Sequence, residues 1–231
     1  MSGISSVQPI GYSIAIVLMP PHQEGSTEMQ LTMELPKDAQ ETLATIFGDP
    51  IHTRVSLTPT GIQALLPAPP PNLKLAEVAV PRLHVQTPLA NECAGAIAKL
   101  YNKFVKDNKS LKALRLVAYG LNFQIEFSIP GITDSGAWMA ERFLRDRMSI
   151  TGGWVVTKGQ IAFTMNHPEG YQRNIEIEPR AERKSAFFAA INNHFAIPPD
   201  FQPGDGVAWN KALNDEFKKT TDYVVGLMTS N

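Results

Sequence analysis

Residues 123–130 read Phe-Gln-Ile-Glu-Phe-Ser-Ile-Pro, and residues 29–36 read Met-Gln-Leu-Thr-Met-Glu-Leu-Pro. In both octets apolar and polar residues alternate, Gln stands second and a proline closes the run. A period of two sends successive side chains to opposite faces of an extended chain. Each octet therefore predicts a strand with one buried face and one wet face. Proline has no N–H to give a ladder, so it ends each strand. Two strings this similar predict a fold built by doubling one unit.

Upstream of the first octet, Tyr12–Met19 reads as an apolar strand and Pro20–Gly25 as a loop. The octet strand spans Glu28–Leu35. Ala39, Leu43, Ile46 and Phe47 then recur at helical spacing, closed by Gly48 and Pro50. Strands are expected at Ile51–Leu57 and Gly61–Leu66, and one more over Ala76–Gln86, interrupted by Pro81. Thr87 and Pro88 suit a cap and first turn. The helix behind them carries Leu89, Cys93, Ile97, Leu100 and Phe104 on one stripe.

The second half retraces this order. Ala113–Ile129 is a long strand region, and a helix with Trp138, Met139 and Phe143 follows, capped by Thr133 or Asp134. Trp154–Thr157 and Gln160–Met165 make a hairpin around Lys158-Gly159, and Gln172–Glu178 is the next strand. Phe187, Phe188, Ile191 and Phe195 have the spacing of a helix. Trp209, Leu213, Phe217, Val224 and Met228 mark an amphipathic helix without a counterpart in the first half.

The expected fold is therefore α+β. A β-α-β-β-β-α unit, repeated at about 10–107 and about 113–196, forms a largely antiparallel sheet with helices on one face, and an extra C-terminal helix follows at about 207–229. Corresponding elements lie about 90 to 105 residues apart. The short, Lys-rich link near residues 105–113 favours one continuous sheet and a single pseudo-twofold domain over residues 1–231, which also hides strand edges.

Composition narrows the function. The chain is 43% hydrophobic and 19% charged with a net charge of −1, so its overall field draws it to neither nucleic acid nor an anionic membrane. One cysteine, Cys93, rules out an internal disulfide and fits a reducing compartment. Met1–Pro9 lacks Lys and Arg, and no apolar run reaches the length of a membrane span. A cytoplasmic protein is expected. The five histidines show no metal-pair spacing, and no nucleophile elbow or phosphate loop is present. No catalytic residue, metal or cofactor is assigned.

The uncovered sheet face is the surface of interest. Alternation places Gln30, Thr32 and Glu34 on it from one half, and Gln124, Glu126 and Ser128 from the other. His84, Gln86, Glu176 and Glu178 join them if parity holds. Glu34, His84, Gln124 and Glu126 are the candidate residues for binding a ligand or partner. Two readings follow. The first is a non-enzymatic binding or assembly protein, with a protein partner or a second copy on its sheet face or helices. The second is a small-molecule site or enzyme near Glu34 and Glu126. Nucleic-acid binding through Lys99, Lys103, Lys106, Lys109, Lys112 and Arg115 is the least favoured.

The long strand at Ala113–Ile129, then Asn174-Ile175-Glu176-Ile177-Glu178 and a Phe-bearing helix, resembles a sporadically distributed group of uncharacterised bacterial proteins. There an Arg-Tyr-Ile-Asn-like core is followed by a strand with an acidic end; here the stretch is Val117-Ala118-Tyr119-Gly120-Leu121-Asn122. That resemblance implies a bacterial source and no particular activity. In element order the doubled unit also resembles the TATA-binding-protein-like fold, but the charge balance argues against DNA.

Overall fold

The computed structural model describes residues 6–19, 36–69, 72–79, 82–107, 114–144, 159–198 and 200–229. The expected strands at Glu28–Leu35 and Trp154–Thr157, and with them Glu34, lie outside those residues.

Among the described residues nine strands form one antiparallel sheet: β1 (Ser6–Met19), β2 (Arg54–Thr58), β3 (Gly61–Leu66), β4 (Lys74–Ala79), β5 (Arg82–Thr87), β6 (Arg115–Ser128), β7 (Ile161–Asn166), β8 (Gln172–Pro179) and β9 (Ala186–Ala196). Their order is β2-β3-β4-β5-β1-β6-β9-β8-β7. The long strands β1 and β6 make the centre, and each side runs outward through a reverse-numbered meander. Four described helices accompany the sheet: α1 (Ala39–Ala44), α2 (Ala90–Leu100), α3 (Ser135–Leu144) and α4 (Gly206–Thr229). A π-helical turn over Tyr101–Lys106 extends α2.

Alternation decides which face is covered. Ile14 and Ile16 of β1, Leu83 and Val85 of β5, Phe123, Ile125 and Phe127 of β6, and Phe187, Ala189 and Ile191 of β9 are all buried, and cross-strand pairing places them on one face. Each fully buried large side chain contributes about 1.5–3 kcal/mol. The helices cover that face. Cys93 of α2 donates its thiol to the carbonyl of Val85, Trp138 of α3 packs edge-on to Phe187, and Phe217 of α4 meets Tyr12 and Phe123. The α2–α4 contact is close. A methyl placed at Gly206 would sit 3.5 Å from the Cα of Gly95.

Several local expectations hold. Gly48 ends the turn after α1 at a φ of 75°, and Asp134 caps α3 by accepting the N–H of Ala137 at 2.9 Å. Cys93 is core, and burial pushes its thiol up to about 12.

Three expectations are corrected. Residues 187–195 are strand, not helix. Phe187, Phe188, Ile191 and Phe195 mimic helical spacing because β9 lies between β6 and β8 with bulky residues on both faces. Pairing from Ala118↔Ala196 to Ser128↔Ala186 supplies a ladder that local spacing cannot reveal. The helix following β9 is thus α4, in the place that α2 holds after β5. Ala76–Gln86 is two strands rather than one interrupted strand: β4 and β5 pair antiparallel down to Ala79↔Arg82. Thr87 ends β5 instead of capping α2, which starts after Leu89.

Candidate functional site

The open face is built by register. One cross-strand row spans every strand of the sheet: Arg54, Leu65, Leu75, Gln86, Ser13, Asn122, Asn192, Asn174 and Thr164 are successive partners. From Gln86 to Thr164 every member is uncharged and can hydrogen-bond. Ser13 and Asn122 face each other across the central strands.

The rows on either side are poor in bulk near that centre. Ala15 pairs with Gly120 on one side, and Gly11 with Gln124, itself paired to Ala190, on the other. Small side chains beside larger ones leave a hollow of about 200 Å³, lined by Gly11, Tyr12, Ser13, His84, Gln86, Asn122, Phe123, Gln124, Ala190 and Asn192. None of these described lining residues is an acid, a lysine or an arginine.

Within the hollow, Ser13 Oγ and His84 Nε2 lie 2.8 Å apart, and Asn122 Nδ2 donates to the same Oγ at 3.4 Å. Asn122 Oδ1 is buried and has no hydrogen-bond partner among the described residues. An unpaired buried carbonyl costs about 1–3 kcal/mol until a donor meets it. Burial holds the His84 imidazole below its usual range, Arg82 adds to that effect, and Glu77 opposes it. Arg82 and Glu77 form an ion pair of 2.8 Å at the rim.

The candidate residues separate accordingly. His84 and Gln124 line the hollow together. Glu126 lies on the same face but does not line it. Its mostly buried carboxylate is held by Arg180 Nε at 3.1 Å and by Arg183, both in the connection from β8 to β9. It is a clamp for that connection rather than a free acid or base. Glu34 lies outside the described residues. Glu176 accepts from Gln160, and Glu178 lies beside Phe188 in the pairing. Of the basic run, Lys103 is paired with Asp38 at 2.5 Å, and Lys109 and Lys112 lie outside the described residues.

Ser13, Asn122 and Asn192 were not singled out by the sequence. Ser13 is one small polar residue in an apolar strand, and only the register with Asn122 and Gln86 makes it central. Among the described residues no group of three or more His, Cys, Asp or Glu could hold a metal ion, and no helix is long and apolar enough to cross a membrane.

No family model, curated protein or solved structure matches this chain.

Proposed function

We propose that the protein binds a small, uncharged molecule carrying both hydrogen-bond donors and acceptors in the hollow centred on Ser13 and Asn122. The observation that carries this is the unpaired, buried Asn122 carbonyl in a hollow lined by neutral hydrogen-bonding side chains. A charged ligand would enter without an ion partner in the lining and lose hydration. A primary amide, a urea or a nucleobase edge offers an N–H to Asn122 Oδ1 and acceptors to Gln86, Gln124 and Asn192.

The same reading takes the chain as one doubled unit, with its pseudo-twofold axis through the Ser13–Asn122 pair. Supporting it, β1 and β6 are both 14 residues long and carry glycine in the sixth place, Gly11 and Gly120. They also bury the same places: positions 11, 12, 14, 16 and 18 in β1, and 120, 121, 123, 125 and 127 in β6. A hollow on such an axis belongs to both halves. We place the protein in the cytoplasm, where its single buried thiol stays reduced.

Thermal unfolding in the presence of primary amides, ureas, polyols and nucleobases tests the binding. A compound at 100 times its Kd stabilises the fold by about 2.7 kcal/mol. The shift is lost in Asn122→Leu, a variant that removes the carbonyl while keeping an open-face side chain. Binding confined to anions, or a shift that survives in Asn122→Leu, overturns the reading. A stable oligomer by light scattering with no shift from any neutral compound favours assembly through the sheet face instead.

A further inference from the structure

We propose that Ser13 is an acyl-accepting nucleophile with His84 as its general base, so that the hollow cleaves small uncharged esters. The inference rests on the binding reading above for where the substrate sits, and adds chemistry to it.

The geometry is that of an activated hydroxyl. Ser13 Oγ accepts from Asn122 Nδ2 at 3.4 Å and lies 2.8 Å from His84 Nε2; in the proposed tautomer, with the ring proton on Nδ1, Ser13 donates to Nε2. A nucleophile and base at this separation meet the distance criterion for proton transfer. Burial holds the imidazole below its usual range and so favours the neutral ring near pH 7, the form a general base needs. Gly11 and Ala190 line the hollow without bulk, so an ester carbonyl can reach the hydroxyl. The side-chain amides of Gln124 and Asn192 supply N–H groups in the same hollow for the oxygen that becomes negative.

The steps balance with water as the second reactant. Ser13 Oγ bonds to the ester carbon as its proton passes to His84 Nε2. The carbon–alkoxide bond then breaks, and that proton leaves with the alcohol. Water, deprotonated by His84, attacks the acyl-Ser13 carbonyl. The carbon–Oγ bond breaks, the acid departs and Ser13 regains its proton.

The site also differs from a triad. Glu77, the cross-strand partner of His84, is engaged by Arg82 at 2.8 Å, so among the described residues no free carboxylate orients the ring. A dyad of this kind should acylate faster than it turns over, leaving an acyl-enzyme to be trapped.

The test is p-nitrophenyl acetate in rapid mixing, followed by mass mapping of the labelled peptide. The expected result is a burst of nitrophenol with one acetyl group on Ser13. The burst disappears in Ser13→Ala, persists in Ser13→Cys, and slows by about 10²- to 10⁴-fold in His84→Gln. Its rate stays high somewhat below pH 6.5, because burial first and Arg82 second hold His84 neutral there against the opposing Glu77. Thermal unfolding of each variant checks the fold. Acetyl groups on other residues, or an undiminished burst in Ser13→Ala, overturn the nucleophile while the binding site stands. Stabilisation of wild type by a neutral compound with no burst shows a binding site only. No burst and no stabilisation remove both.

Discussion

Strands β5 and β9 stand on opposite sides of the central β1–β6 pair, and they differ where it matters. Gln86 of β5 pairs with Ser13, and Asn192 of β9 pairs with Asn122. Two residues back along each strand, β5 offers His84 to the open face where β9 offers Ala190. One residue on, β5 buries Thr87 and β9 buries Asn193 on the covered face, both with no exposure. Under the proposed doubling, two copies of one scaffold have been given different polar groups at matching places. On the covered face the difference concerns the polar anchoring of each long helix; on the open face β5 carries its histidine, His84, two residues before the polar row, where β9 has Ala190 and carries its own, His194, two residues after it.

The covered-face difference has the largest expected consequence. Thr87 satisfies its hydroxyl locally by donating to the Leu89 carbonyl at 2.7 Å, and α2 docks through its apolar stripe, the Cys93 thiol on the Val85 carbonyl and the more exposed Glu92–Lys74 pair at 2.8 Å. Asn193 accepts from Arg173 Nε at 2.6 Å, and the same guanidinium grips Glu216 of α4. Thr220 donates to the Glu216 carbonyl at 2.8 Å. Arg173 and Glu216 are largely buried, with side-chain exposures of 14% and 9%. Glu216→Ala leaves Arg173 buried without its anion and is expected to cost about 3–5 kcal/mol in denaturant unfolding. Thr87→Val should cost about 1 kcal/mol, the loss of one neutral hydrogen bond. Equal costs would break the comparison. Arg173→Met combined with Glu216→Leu sharpens it, since removing both charges should recover most of the loss.

The open-face difference comes next in size. Ala190 leaves room for the hollow on the β9 side, as Gly11 does on β1. Ala190→Leu fills that room with little disturbance to the covered core, because residue 190 points away from it. The expected outcome is loss of all ligand-induced stabilisation, about 2.7 kcal/mol at 100 times Kd, with the unliganded melting point nearly unchanged. An Ala190→Leu variant that still responds fully to neutral ligands would place the ligand elsewhere on the sheet.

How much of this was legible in the sequence follows from the same strands. Residues 123–128 of β6 alternate cleanly because one face is core and the other open, so the strand and its parity could be read directly. Residues 187–195 of β9 could not. Phe188 faces the open side beside Glu126, and the run is bulky on both faces, so its period of two was masked by a chance helical spacing. The same misreading put a helix between β8 and α4, where the chain runs directly from β9 to α4. His84 and Gln124 were found because parity alone aims them at the open face. Ser13 and Asn122 were not, since their importance comes from a pairing 109 residues apart, read as the difference of their numbers. The ion pairs of Glu126 with Arg180 and Arg183 were not legible, because those residues lie 54 and 57 positions away and reach it only through the fold.

The smallest expected effect lies in how His84 titrates. Its folded pKa is lowered from 6.5, by burial first and by Arg82 second, against Glu77. The unfolded chain therefore takes up a proton at this position before the folded chain does. Stability must rise with pH through the window just below 6.5 and fall as the solution is acidified through it. Ala190, at the matching place, contributes nothing of this kind. His84→Gln should thus flatten the dependence of unfolding free energy on pH between about 7.5 and 5.5, whereas Ala190→Gln should leave the wild-type slope intact. Denaturant titrations of the three proteins at matched ionic strength measure it. An unchanged slope in His84→Gln would mean that the imidazole is solvated well enough to charge freely, and the hollow would lose the neutral base that His84 gives its lining.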